Sequence, residues 1–117
     1  MKFDIHQDDL YTLLTLKADK LDSKGAPDLK SQFILLANTT ETGHLIVDMS
    51  TVAFADSSGL SALLLAHRLY RDTDRKLILC GLNDKVMKLI QISKLETVFT
   101  IAESKDAALE TLDELTA

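Results

Sequence analysis

The chain reads as an α/β domain with a mostly parallel sheet, and three observations predict it. Short apolar runs suited to strands, such as Leu45-Ile46-Val47 and Leu77-Ile78-Leu79-Cys80, alternate with longer segments whose apolar residues recur every three or four positions. The order of these segments is strand, strand, helix, then three strand-helix repeats, which implies right-handed crossovers and a mixed sheet with one antiparallel edge. Finally, 117 residues with 46% hydrophobic content suffice for one core and are short for two. One domain over residues 1–117 with about four helices is expected.

Each element has a local reason. Phe3 and Ile5 alternate with polar neighbours, Asp8-Asp9 reads as a turn, and the Thr- and Leu-rich segment 11–17 returns as a second, antiparallel strand. Asp22-Ser23-Lys24-Gly25 supplies turn formers, and Pro27 suits the first turn of a helix that carries Leu29, Phe33, Leu36 and Ala37 on one face. A polar break at 39–43 precedes a strand at 45–49. Leu60, Leu63, Leu64 and His67 then mark one face of a second helix ending near Arg71-Asp72. Residues 76–80 form another short strand, and Gly81-Leu82-Asn83-Asp84 offers a turn and a cap for a third helix bearing Val86, Leu89 and Ile90. A weaker strand is expected at 98–101, and Ser104 can cap a last helix whose apolar positions Ala108, Leu112 and Leu115 follow helical spacing. No repeat, low-complexity tract or linker interrupts this order.

Composition excludes several function classes. The net charge is -5, from 18 acidic and 13 basic residues, and no Lys/Arg stripe is present to neutralise a phosphate backbone, so nucleic acid is not an expected partner. No apolar run approaches the roughly 20 residues that span a bilayer, and the first residues lack a signal-peptide core, so a cytoplasmic location without membrane insertion is expected. The single cysteine, Cys80, agrees with a reducing compartment and reads as a small buried hydrophobe. His6, His44 and His67 lack metal-ligand spacing, with His67 packed on a helix face and His44 in a loop at a strand entry. There is no glycine-rich phosphate loop and no GxSxG elbow. Neither cofactor, metal nor catalytic residue is expected, and the chain is read as a non-enzyme. Asp19, Asp22, Asp48 and Asp56 fall at loops or strand ends, where solvated or capping roles compete with convergence on a cation. Without a long coiled coil, a monomer is expected.

The most informative stretch is Phe54-Ala55-Asp56-Ser57-Ser58-Gly59-Leu60, between a strand-like run and a leucine-rich helix. Asp and Ser cap orphan N–H groups at helix starts, so capping alone is one reading of Asp56, Ser57 and Ser58. Together with Leu45-Ile46-Val47-Asp48-Met49-Ser50, Leu21-Asp22, the segment Ala26-Pro27-Asp28-Leu29-Lys30 and the run Lys76-Leu77-Ile78-Leu79-Cys80-Gly81, this stretch resembles STAS domains, specifically bacterial anti-sigma factor antagonists, from about Phe3 to about Leu112. One departure is Lys17-Ala18-Asp19-Lys20 before Leu21-Asp22, where family members often carry Gly.

The resemblance implies a partner-switching module. In that family an anti-sigma factor that is also a serine kinase phosphorylates the first serine of the motif, here Ser57. The unmodified form binds the kinase and frees a sigma factor, and a serine phosphatase reverses the modification. Asp22, Asp56, Ser57, Ser58 and Gly59 are the partner-facing residues on this reading, with Gly59 at a close-packed turn. Related domains serve instead as accessory subunits of transport or stress-sensing complexes. In that alternative the serines only cap the helix.

Overall fold

Side-chain alternation along the central strands builds two unequal cores. In the computed structural model, which describes residues 1–39 and 43–116, β1 (Phe3–Gln7) pairs antiparallel with β2 (Tyr11–Leu16). β2 pairs parallel with β4 (His44–Asp48), β4 with β6 (Leu77–Cys80), and β6 with β7 (Thr100–Ala102). The resulting five-stranded order is β1-β2-β4-β6-β7. α1 (Ala26–Thr39), α2 (Ser57–Arg71), α3 (Asp84–Ile92) and α4 (Lys105–Thr116) complete the mixed α/β fold read from the sequence.

Because successive strand residues point to opposite faces, Leu45, Val47, Leu77 and Leu79 enter the larger core while Ile46, Ile78 and Cys80 enter the smaller. The larger core gathers Leu29, Phe33 and Leu36 of α1, Leu60, Leu63 and Ala66 of α2, and Val86 and Ile90 of α3. Among the described residues, the smaller receives Ala108 and Leu112 of α4 with Ala102 of β7 as further buried members. Arg75 is buried, with its guanidinium 4.4 Å from the centre of the Tyr70 ring and Nη2 donating to the Ala37 carbonyl at 2.9 Å. That bond fastens the end of α1 to the turn after α2.

Three details depart from the sequence reading. A second, two-stranded parallel sheet pairs β3 (Lys20–Leu21) with β5 (Phe54–Ala55), two segments expected to be loop. The last strand starts at Thr100 rather than 98, since Val98 and Phe99 donate their N–H groups back to the Leu95 carbonyl and Phe99 is buried in the larger core. α1 runs through Thr39, the first residue of the expected polar break, and positions 40–42 of that break lie outside the described residues.

Candidate functional site

The β5–α2 junction is held by main-chain bonds before any functional side chain is considered. The Asp19 carbonyl accepts from the N–H groups of Ala53 (2.8 Å) and Phe54 (3.1 Å), and the Leu21 carbonyl accepts from Asp56 N–H at 3.1 Å. The departure at 17–20 therefore closes a short β-ladder through backbone atoms alone. Thr51 Oγ1 donates to the Leu16 carbonyl at 2.6 Å, and Asn83 Nδ2 reaches the carbonyls of Val52 (3.3 Å) and Ala53 (3.1 Å). The loop after β4 is thereby tied to the ends of β2 and α3. Asp48 Oδ1 accepts from Ser50 N–H at 2.9 Å, and Gly81, at φ +73°, passes so close that a Cβ there would meet Ser50 N at 3.0 Å.

This ladder brings Asp22 and Asp56 together, since each directly follows a paired residue, Leu21 and Ala55. Asp22 Oδ1 accepts from Lys24 N–H at 3.0 Å and so shapes the turn before α1. Asp56 is the N-cap of α2, its Oδ1 accepting from Gly59 N–H at 3.1 Å. Gly59 is buried against β3, and a Cβ there would fall on the Leu21 carbonyl oxygen and 2.7 Å from Leu21 Cγ. The close-packed turn expected at Gly59 is present. Ser57 is exposed and Ser58 half-buried, and neither hydroxyl makes a hydrogen bond to the described residues. Capping has fallen to Asp56, so the serine hydroxyls are uncommitted.

Among the described residues, no catalytic partner is assembled around them. His67 lies ten residues along the same helix, about 15 Å away at the helical rise, and its ring meets Phe99 edge-on with centroids 6.1 Å apart. Burial, helped by Arg71 and Arg68, holds its pKa below the usual histidine range. His44 opens β4, at the opposite end of that strand from the loop leading to Ser57, and its Nδ1 accepts from Lys76 N–H at 2.9 Å. Burial first, then Lys76 and Arg75, lowers its pKa. Cys80 is fully buried, and burial, reinforced by Asp48, pushes its thiol up to about 12, too high for a reactive thiolate. Among the described residues no three His, Cys, Asp or Glu converge as metal ligands, and no helix is long and apolar enough to cross a membrane. Asp22, Asp48 and Asp56 each spend an oxygen on a neighbouring N–H, the capping role weighed for them against cation binding.

Sequence reasoning missed the β3–β5 ladder and the exposure of Phe54 at its edge. Two-residue strands carry no period to detect.

Comparison with known proteins agrees with this architecture. A chain named anti-sigma-B factor antagonist, from Listeria monocytogenes, is 29% identical over 84 residues, covering 72% of this chain and 73% of its own. The crystal structure of an anti-sigma factor antagonist from Mycobacterium paratuberculosis superposes with a TM-score of 0.84 at 18% identity, covering 96% of this chain and 93% of that one. The phosphorylated form of the Bacillus cell fate determinant SpoIIAA gives 0.73 at 18% identity, covering 95% and 99%. At such identities the structures establish the fold alone. The family model of the STAS domain matches residues 2–108, and the chain belongs to that family.

Proposed function

We propose that this protein is an anti-sigma factor antagonist whose unmodified form binds an anti-sigma factor with serine kinase activity, and that phosphorylation of Ser57 switches it off. One observation carries the reading: the Ser57 hydroxyl stands exposed and uncommitted at the first turn of α2, while Asp56 does the capping. An accessory module that used its serines only as caps would need them where Asp56 already serves. The names of the relatives support the sigma-factor assignment.

The physics of the switch follows from the site. A phosphate on Ser57 adds about -1.5 to -2 charges and three acceptor oxygens beside Asp56 and close to Asp22. The free N–H groups and dipole of the helix N-terminus tolerate that anion, so the fold survives modification. A partner docked over Asp22, Asp56, Ser57 and Ser58, with Gly59 packed beneath them, meets repulsion and added bulk instead. The chain itself is a substrate rather than an enzyme, and a serine phosphatase resets it.

Incubation with the cognate serine kinase and ATP should add one phosphate, read by intact mass, and Ser57→Ala should abolish it. A label on another residue overturns the site. Ser57→Asp should weaken kinase binding about thirtyfold or more, and unchanged affinity overturns the electrostatic switch.

A further inference from the structure

Beside the junction, β5 and α3 flank an open groove of about 390 Å³, lined by Phe54, Ala55, Lys85, Lys88, Leu89 and Ile92. Two of its apolar members stand open to solvent, Phe54 at 50% exposure and Ile92 at 70%, while Ala55 is buried and Leu89 half-buried behind them. Lys85 and Lys88 stand one turn apart on α3, both exposed, and neither has an ion-pair partner among the described residues. Two cations thus flank an apolar strip on a protein of net charge -5, with Asp84 at the start of the same helix.

The occupant that satisfies this surface is apolar on one side and anionic along its flank. A small molecule in so open a groove would keep much of its surface in water, whereas a helix buries one face and leaves the other solvated. Carboxylates three or four residues apart on such a helix have the same one-turn spacing as Lys85 and Lys88. The groove is continuous with the junction, because Phe54 lies three residues before Ser57 and Asn83 fastens the start of α3 to Val52 and Ala53.

We propose that the groove between β5 and α3 docks an acidic amphipathic helix of the same protein partner that engages Ser57. This rests on the functional reading above and deepens it, since a phosphate on Ser57 then repels a partner segment already selected for negative charge.

Amide chemical-shift mapping on the full chain tests the groove separately from the serine. The probe is a synthetic amphipathic helix with Leu on one face and Glu on its flanks, compared with the same peptide carrying Lys for Glu and with phosphatidylcholine/phosphatidylglycerol vesicles. The acidic peptide should shift Phe54, Ala55, Lys85, Lys88, Leu89 and Ile92 saturably, with affinity falling at least about tenfold in the double variant Lys85→Glu/Lys88→Glu and also in Ile92→Ser. Shifts confined to other residues, equal binding of the basic peptide, unchanged affinity in the variants, or preference for the vesicles would each overturn the groove. Ser57 phosphorylation without a groove response overturns the groove alone. A responding groove with Ser57 left unlabelled overturns the switch alone.

Discussion

The two faces of the five-stranded sheet are built very differently. One is covered by α1, α2 and α3 and holds large side chains in quantity, including Phe33, Leu63 and Tyr70. The other is covered by α4 and relies on Ile46, Ile78, Cys80, Ala108 and Leu112. Burial energy scales with apolar area, so most of the stability resides in the thick layer. The Ser57 junction grows from one end of that layer. The Ser57 end can stand exposed there because the helix behind it is anchored along its length by Leu60, Leu63, Ala66 and Tyr70.

The largest expected effect sharpens this contrast. Leu63→Ala should cost about 4 kcal/mol in urea unfolding, because its surroundings are packed from several elements and relax little. Leu112→Ala, under a single helix that can settle inward, should cost about 2 kcal/mol. Equal losses would break the comparison.

Gly59→Ala comes next, at about 1–3 kcal/mol, because a methyl group there drives into Leu21 and pushes α2 away from β3. Its signature in the same unfolding assay is the absence of rescue by a smaller residue at position 21, because the nearest clash is with the Leu21 main-chain carbonyl. Asp56→Ala should cost about 1 kcal/mol through loss of the cap, while Ser57→Ala should stay within about 0.5 kcal/mol. A Ser57→Ala loss matching that of Asp56→Ala would return the serine to a structural role.

The remaining effects are pH-dependent, and the histidines and the cysteine act at opposite ends of the pH scale. The folded-state pKa of His67 lies below its ordinary 6.5, so the unfolded chain binds more protons there and stability falls as pH drops below about 6.5. His44 acts in the same direction. Cys80 in the thin layer is raised from 9.0 to about 12, so its contribution is intact below pH 9 and lost as pH rises toward 12. Denaturation midpoints across pH should lose part of their acid slope in His67→Gln and part of their alkaline slope in Cys80→Ala.

Much of this was legible in the residues because the signals were local. Asp56, Asn83 and Ser104 sit where helices begin, and each accepts a bond from an N–H three residues on. Leu60, Leu63 and Leu64 carry the helical period that α2 displays. What stayed hidden depends on contacts distant in sequence. Leu21 and Ala55 pair only because the sheet brings two loops side by side. Arg75 is buried through a ring and a carbonyl contributed by two different helices. The groove was equally invisible, since Ile92 reads as one more apolar residue at the end of an amphipathic helix and its exposure emerges only from how α3 lies against β5.

The β3–β5 ladder has a kinetic consequence. Two loops remote in sequence, one presenting Asp22 and the other Ser57, are fixed to each other through the Leu21 carbonyl before any partner arrives. On the proposed function, a binding protein would meet a rigid composite surface and lose little of its association energy to ordering it. Loosening the ladder without touching either proposed contact residue should slow productive encounter.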